Sequence, residues 1–261
     1  MYCLRMLVPA LFLLNASFAA AEDAPKVADI LACSQNNAPQ KTFRQEAVFV
    51  TKAVDGAQRS LETRILGERG DKGLQLNLRV TAPPATAGTT ILIREKKGQD
   101  DMRIFLPATG RSQGVTGSMA SSKLLGTDFS YLDLKQMFGA MLDGSSTYKS
   151  AGEVGGHSVN IVQLIPAAEE ATPYSEVLVS FDKETCVPLM AEFRTEDGQL
   201  LRTLTADSES LMSEKDRHYA QRYTLVDAIS ETQTTIEFKE VEYDDKLPRR
   251  AFHPNSFKDV N

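Results

Sequence analysis

The sequence predicts a mainly β protein built on a single antiparallel sheet that is strongly curved or nearly closed. Candidate strands recur about every 8 to 12 residues with turn signals between them, which is typical of all-β domains. The segment GLQLNLRV alternates strictly, so Leu74, Leu76 and Leu78 share one face. Two short hairpin signals, Asp55-Gly56 and Asp197-Gly198, indicate antiparallel pairing of the segments around them.

The N-terminal residues predict export. A basic start with Arg5 precedes the apolar run MLVPALFLLNASF, and the small residues Ala19 and Ala21 fit a signal-peptidase site. The apolar run is shorter than the roughly 20 residues that a membrane-spanning helix needs. We therefore expect a signal peptide over 1–21, cleaved after Ala21, and an exported mature chain over 22–261.

The mature chain opens with a short amphipathic helix. Val27, Ile30 and Leu31 lie on one face of that helix, and Asn36-Asn37 followed by Pro39 ends it. The first half of the chain then supplies the strand candidates FRQEAVFVTKAV, RSLETRILGER, GLQLNLRV, TTILIREKK and DMRIFLP. The second half supplies HSVNIVQLIP, SEVLVSFDKETC, VPLMAEFRTEDGQLLRTLTAD, QRYTLVDAI and TTIEFKEVEYDD.

A second helix is predicted in the centre of the chain, over 131–142. There the segment SYLDLKQMFGAML spaces its apolar residues as one face of a helix. No repeat, low-complexity tract or linker interrupts the strand pattern, so residues 22–261 are expected to form one domain.

The charge balance argues against a nucleic-acid partner. The chain has 29 basic and 35 acidic residues, a formal net charge of −6, which becomes −7 when Arg5 leaves with the signal peptide. Nucleic-acid binding calls for a basic stripe, and binding to an anionic membrane surface calls for a polybasic cluster. The sequence has neither feature.

Two cysteines remain in the mature chain, Cys33 and Cys186. An oxidising compartment favours one disulfide between them, closing a loop that stabilises the fold by about 5 kcal/mol in the chain-entropy model. The alternative is two free thiols, one of them reactive. Neither cysteine belongs to a C-x-x-C motif, so a redox role has little support.

The residues of common catalytic and metal sites are missing or scattered. The sequence has no G-x-S-x-G elbow and no phosphate-binding glycine loop. Its histidines, His157, His218 and His253, lie far apart and outside any ligand spacing. We therefore predict no catalytic residue, no metal and no cofactor.

The segment LLGTDFSYLDL carries two carboxylates, Asp128 and Asp133, that would suit a general acid and base. Gly126 and Thr127 just before them are turn residues, and Thr, Asp and Ser are all good residues for the N-terminus of a helix. We predict a structural role. Asp128 would hold the turn by accepting backbone hydrogen bonds, and Asp133 would favour the first helical turn.

Several motifs together resemble the signature of the LolA-like outer-membrane lipoprotein-sorting family. They are Pro83-Pro84 and Gly88, Phe105-Leu106-Pro107 with Arg111, and the long segment LGTDFSYLDL. The segments around Cys33 and Cys186 also resemble the cysteine-bearing segments of that family. The chain departs from the pattern at Phe105, at Leu132 and at Ser112-Gln113, so the residues usual at these positions are not required for a shared function.

The resemblance implies an incomplete antiparallel barrel with a few helices closing its concave face and an apolar cavity for acyl chains. It implies a periplasmic carrier of lipids or lipoproteins, which binds and does not catalyse. The implied partners are lipid or lipoprotein acyl chains and an inner-membrane lipid exporter. It also supports a Cys33–Cys186 bridge.

An apolar stripe along the first half of the sheet is the expected lining of that cavity. Its residues are Leu74, Leu76, Leu78, Ile91, Ile93, Ile104 and Leu106, and we expect Phe129 and Tyr131 at the cavity rim. A buried methylene gains about 0.8 kcal/mol, so such a lining can hold an acyl chain without covalent chemistry. The alternative is that the stripe is core beneath a tightly packed helix.

A second function remains open for the same fold. A periplasmic sensor or adaptor module would bind a membrane protein or a lipid exporter instead of carrying cargo. A bound lipid would favour the carrier, whereas a stable membrane partner and a collapsed cavity would favour the adaptor. A hydrolase that uses Asp128 and Asp133 is the third hypothesis.

Overall fold

The computed structural model describes residues 25–71, 73–96, 99–140, 143–168, 172–214, 216–239, 241–243 and 246–260. The signal peptide expected over 1–21 therefore lies outside the described residues. Within the described ranges, no helix is long and apolar enough to cross a membrane.

A large antiparallel sheet of fourteen strands dominates the structure. Its first half is β1 (Phe43–Lys52), β2 (Gln58–Gly70), β3 (Gly73–Ala82), β4 (Thr90–Arg94), β5 (Asp101–Leu106) and β6 (Arg111–Val115). Its second half is β7 (Gly144–Val154), β8 (His157–Pro166), β9 (Glu176–Asp182), β10 (Pro188–Arg194), β11 (Leu200–Ala206), β14 (Arg222–Asp227) and β15 (Gln233–Phe238). The short strand β16 (Glu242–Tyr243) pairs with the start of β1.

The two halves of the sheet join through β1 and β15, where Phe49 pairs with Ile236. The strand order is β6-β5-β4-β3-β2-β1-β15-β14-β11-β10-β9-β8-β7, so almost every strand pairs with its neighbour in the chain. The path ends at β6 and β7, which do not pair with each other. The predicted fold class, mainly β with one curved antiparallel sheet as an incomplete barrel, is confirmed.

A separate hairpin leaves the sheet between β11 and β14. It consists of β12 (Leu211–Glu214) and β13 (Arg217–Ala220). The charged sequence of this region gave no strand signal, and its position is fixed by contacts made across the fold. The backbone nitrogen of His218 donates to Oδ1 of Asn37 at 2.9 Å, which places the hairpin beside the N-terminal helix.

Two α-helices lie among the described residues, α1 (Val27–Asn36) and α2 (Tyr131–Met137). α2 is shorter than predicted because Phe138 caps it and Gly139 follows with φ +83°, a left-handed conformation that ends helices and favours glycine. A side chain at 139 would also meet the Cβ of Ala38 at 2.5 Å, so glycine permits the close approach of the two segments.

The main core lies on the concave face of the sheet and draws on both halves. Its centre is aromatic. The ring of Phe138 stacks on Phe43 at 5.5 Å between centroids and meets Phe238 edge-on at 5.8 Å. Aromatic pairs of this geometry stabilise a fold by about 0.5–1.5 kcal/mol beyond their buried area. They hold the segment after α2 against strands β1 and β15.

The segment 246–260, here called the C-terminal strap, covers the opposite face of β2 to β4. Its residues Ala251, Phe252 and Val260 form a separate cluster with Leu66 of β2. The side-chain amide of Asn77 donates to the carbonyls of Ala251 at 2.7 Å and Phe257 at 2.8 Å. Asn77, on the face of β3 opposite Leu76 and Leu78, is therefore buried, and the strap satisfies its amide group.

A disulfide joins Cys33 of α1 to Cys186, which lies in the turn between β9 and β10. The Cα atoms are 5.8 Å apart and the bridge spans 153 residues of sequence. The predicted bridge is confirmed in the structure. Next to it, Nδ2 of Asn37 donates to the carbonyl of Thr185 at 2.7 Å, so the C-terminal end of α1 has two attachments to this turn.

Candidate functional site

An apolar cavity of about 220 Å³ opens between the second half of the sheet, the end of α1 and the segment after α2. Its strand residues include Leu164, Val177, Val179, Phe181, Ala191, Phe193, Leu204, Tyr223, Leu225 and Phe238. Its helix-side residues include Ala38, Pro39, Gln136, Met137, Phe138, Gly139 and Ala140. The helices therefore close the concave face over this half of the sheet.

The apolar wall follows from strand alternation. Val177, Val179 and Phe181 of β9 are separated by single residues, so all three point to the concave face. Ala191 and Phe193 of β10 pair with Val179 and Val177 and continue the same surface. Because Ala191 is small and its neighbours are large, the wall has a recess at this position.

Tyr223 of β14 brings a phenol to the cavity. Burial raises its pKa to about 12. The phenol is therefore neutral at physiological pH, and this part of the lining carries no charge.

Asp133 borders the cavity and fixes the start of α2. Its carboxylate accepts from the backbone nitrogen of Ser130 at 2.7 Å, while the hydroxyl of Ser130 accepts from the backbone nitrogen of Asp133 at 3.2 Å. This reciprocal pair is a capping box at the helix N-terminus. The same carboxylate accepts two hydrogen bonds from Arg202 of β11, at 2.7 and 2.8 Å.

Arg202 is enclosed on several sides. Its guanidinium lies 4.2 Å from the centroid of the Phe193 ring and 5.3 Å from that of Tyr174. Burial lowers its pKa, but the charge and hydrogen bonds of Asp133 outweigh burial and the net shift is upward. The guanidinium of Arg202 therefore stays charged and holds Asp133 in a fixed ion pair, which does not suit proton transfer.

Asp128 is held by side chains and not by the backbone donors that we expected. Its carboxylate accepts from Thr232 of the β14–β15 turn at 2.6 Å, from Thr234 of β15 at 2.8 Å and from Nζ of Lys123 at 2.7 Å. The chain folds back here because Gly126 has φ +78°. The backbone nitrogen of Asp128 also donates to the hydroxyl of Thr234 at 2.9 Å, so backbone and side chain both attach this turn to β15.

Asp128 and Asp133 therefore act at separate anchor points. One joins the 124–129 turn to β15, and the other joins α2 to β11. Lys123 also pairs with Asp227 at 2.9 Å, so the first anchor contains two acids and one base. Burial lowers the pKa of Lys123, but its hydrogen bonds and charge pairs with Asp128 and Asp227 raise it overall.

The predicted lining residues lie mostly in the packed core. Leu74, Leu76, Leu78, Ile91, Ile93, Ile104 and Tyr131 are all buried in the main core, and Leu106 packs against it. Of the nine residues, Phe129 alone borders the cavity, and it also meets Phe49 edge-on at 5.8 Å. The second-half wall was missed as a lining, although SEVLVSFD carries the same alternation as the first-half stripe.

Polar residues surround one side of the cavity and form what we call the polar rim: Ser34, Gln35, Asn37, Arg217 and His218. The carbonyl of Asn37 accepts from Nε of Arg217 at 2.8 Å. The ring nitrogen Nδ1 of His218 lies 2.9 Å from the hydroxyl of Ser213. In the described ranges, no group of histidine, cysteine and acidic side chains is arranged to hold a metal ion.

Solved structures of the same shape exist at low sequence identity. A domain described as that of an outer membrane lipoprotein-sorting protein, from Vibrio parahaemolyticus, has a TM-score of 0.77 and 19% identity, covering 88% of this chain and 97% of that one. A DUF1329 family protein from Desulfovibrio piger has a TM-score of 0.78 and 18% identity, covering 86% and 95%. A LolA superfamily protein from Nitrosomonas europaea has a TM-score of 0.70 and 19% identity, covering 88% and 98%.

None of the curated proteins matches the sequence. A family model with the description "Uncharacterized protein" matches residues 75–259, which is most of the described chain. That span includes the LGTDFSYLDL segment, the cavity wall and the strap. The chain therefore belongs to the family of that model, and its fold is the LolA-like incomplete barrel.

Proposed function

We propose that the protein is a periplasmic carrier that holds lipid or lipoprotein acyl chains in the cavity between the second half of the sheet and the two helices. The observation that carries the proposal is a mainly apolar cavity, to which the described chain brings the charged side chains of Asp133 and Arg217, and Asp133 is already paired with Arg202. The fold shared with an outer membrane lipoprotein-sorting domain supports it. So do the export signal expected over 1–21 and the single mature domain expected over 22–261.

The size of the cavity suits part of one acyl chain. An apolar cavity of about 150 Å³ is known to accept benzene, so about 220 Å³ accepts a somewhat longer chain segment. Each further methylene that enters gains about 0.8 kcal/mol. A longer ligand would displace the segment 136–140, whose Phe138 and Ala140 line the cavity, toward solvent.

Under this proposal, the nine residues first expected to contact the ligand have two different roles. Phe129 would touch the acyl chain directly. The others support the cavity from the core of the first half, and a longer chain would reach them by displacing side chains at Phe129 and Phe138. An inner-membrane exporter remains a proposed partner that would deliver the chain.

The first test is capture of lipid. The protein, purified from its native host under gentle conditions, should release a stoichiometric lipid into organic solvent, detected by mass spectrometry. The stripped protein should then take up a fluorescent acyl probe. Absence of both signals, together with recovery of a stable membrane-protein partner, would replace the carrier with the adaptor function.

Filling the recess at Ala191 gives a sharper test. Ala191→Phe adds a ring inside the cavity, so probe uptake should fall by at least about tenfold while the melting temperature holds or rises, since the space is already empty. Ala151→Phe makes the same change on the exposed surface of β7 and should leave uptake unchanged. Equal uptake by both variants would show that the probe binds elsewhere.

A further inference from the structure

Arg217 brings a positive charge to the polar rim of the cavity. The structure gives its guanidinium a carbonyl and a phenol as hydrogen-bond partners, from Asn37 and Tyr243. Its flat face also lies over the rings of Tyr219 and Tyr243, at 5.3 and 5.8 Å from the centroids. Among the described residues, no acidic side chain lies within ion-pair distance of it.

The other charged residue of the lining is already neutralised. Asp133 accepts two hydrogen bonds from Arg202, so it presents no uncompensated negative charge to a ligand. Of these two charged lining residues, Arg217 is therefore the one that a ligand can reach as an unpaired charge. This contrasts with the chain as a whole, whose formal net charge is −6.

The position of Arg217 is fixed by its neighbours. Asn37 accepts from Arg217 through its carbonyl and from the backbone of His218 through its side chain, at 2.8 and 2.9 Å. Asn37 itself is attached to Thr185 beside the disulfide. A guanidinium held in place loses little side-chain entropy when it binds an anion, and its planar donors match carboxylate and phosphate oxygens.

Resting on the carrier function above, we infer that the ligand is an anionic amphiphile with one acyl chain in the cavity, and that Arg217 binds its carboxylate or phosphate headgroup. The apolar chain occupies the space lined by β9 and β10. The headgroup lies at the polar rim, within reach of the free edge of the guanidinium and of His218. Neutral amphiphiles of equal chain length then bind more weakly.

The test is a displacement assay on the full-length mature protein with the neutral fluorescent probe N-phenyl-1-naphthylamine bound. The competitors are the anions dodecanoate and dodecyl phosphate and the neutral dodecyldimethylamine oxide. Each competitor is used below its micelle concentration. The two anions should displace the probe at about tenfold lower concentration than the neutral compound, the gain expected of one charge-assisted hydrogen bond. Arg217→Gln should abolish that difference, chiefly by raising the concentrations at which the two anions displace the probe. Arg217→Lys should restore part of the difference.

Arg222→Gln is the matched control, since it removes the same charge from a neighbouring strand where Arg222 pairs with Asp207 outside the cavity. It should keep the preference for anions. Equal affinity of the wild-type protein for charged and neutral compounds, or a preference that survives Arg217→Gln, would overturn the inference and leave the carrier function standing. Displacement by inorganic phosphate alone would also overturn it, because the site would then recognise a free anion. Failure of every compound to bind would instead overturn the carrier function itself.

Discussion

At the scale of single residues, the carboxylate of Asp133 has two structural roles. It caps α2 and it neutralises Arg202, whose side chain is 13% exposed while that of Asp133 is 7% exposed. Removal of one partner from a buried ion pair leaves the other charge without compensation. The contacts of Asp128 and Asp133 therefore account for both acids of LGTDFSYLDL without a catalytic role.

Asp133→Asn should therefore lower the free energy of unfolding by about 3–5 kcal/mol, measured by urea denaturation. The amide keeps an oxygen for the capping box but cannot balance the guanidinium. Asp207→Asn is the control, because it breaks an Asp–Arg pair of the same type on the surface, with 31% and 44% exposure. It should cost at most about 1 kcal/mol, and equal losses would contradict the structural role of the buried pair.

The stability that the ion pairs around Lys123 give to the fold depends on pH through Asp227. Burial raises its pKa, but backbone hydrogen bonds from Ser230 and Ile229 and the charge of Lys123 outweigh burial and bring it to about 2. The folded pKa is below the unfolded value, so its stabilisation is present above about pH 4 and is lost as the pH falls toward 2.

The melting temperature of the wild-type protein should thus fall more steeply between pH 4 and pH 2 than that of Asp227→Asn. The variant begins less stable and has one fewer group to protonate. Glu231→Gln removes a nearby exposed carboxylate and should retain the wild-type slope. Parallel curves for the wild-type protein and Asp227→Asn would contradict this assignment.

At the scale of secondary-structure elements, the disulfide decides how firmly α1 is held. Cys186 has φ +58°, a left-handed conformation that is strained for a residue with a side chain. The bridge keeps it in that conformation. Replacement of the cysteines therefore has two separable effects, loss of the cross-link and a change in local backbone strain.

The double variant Cys33→Ala/Cys186→Ala should lose about 3–5 kcal/mol of stability in urea denaturation, since the unfolded chain is no longer cross-linked. Cys33→Ala/Cys186→Gly should recover about 1 kcal/mol of that loss, because glycine accepts the positive φ. The wild-type mass before reduction should be two hydrogens below the reduced mass. Two alkylatable thiols in the native protein would exclude the bridge.

Most strands could be predicted from the sequence, and those that could not share a physical reason. β3 and β9 alternate between apolar and polar residues because one face of each strand packs in the main core, and this alternation can be recognised in the sequence. β7 is exposed along almost its whole length and the charged β12–β13 hairpin lies outside the sheet, so neither has an apolar face to read. Pairing with β8 defines β7, and contacts with Asn37, which is 181 residues from His218 in sequence, place the β12–β13 hairpin.

The candidate site was less predictable than the fold for a related reason. Both halves of the sheet present an apolar concave surface, and the sequence does not say which half is covered. Arg69 donates to the carbonyl of Phe138, and Lys135 pairs with Asp100 at 2.7 Å, so the end of α2 is held near the first half. The cavity therefore lies over the second half of the sheet. Which half of the sheet carries the cavity therefore depends on tertiary contacts and not on the local sequence pattern.

At the scale of the whole molecule, the sheet separates two environments. The concave face carries the cavity, and the opposite face of β2 to β4 carries the C-terminal strap. Phe129 and Phe257 are both 0% exposed, one on each side. They provide a matched pair of large buried side chains with different neighbours.

Phe129→Ala and Phe257→Ala should each reduce stability by about 3–5 kcal/mol, since each leaves a cavity in a packed region. Only Phe129→Ala should weaken acyl-probe binding per folded molecule, because Phe129 borders the cavity. Urea denaturation and probe titration at low temperature would measure the two effects. A comparable loss of probe binding in Phe257→Ala would place the ligand outside the cavity.

The Cys33–Cys186 bridge also gives the backbone a covalent topology. It closes a ring that contains β1 to β9 and leaves β10 to β16 outside. A single protease cut at the Gly155-Gly156 turn falls within the ring, so the two pieces stay joined by sulfur and separate on a denaturing gel only after reduction. A cut at the Asp197-Gly198 turn falls outside the ring, so the pieces separate with or without reductant. Limited proteolysis run in paired lanes therefore reports whether the turn inside the ring or the turn outside it is cut first.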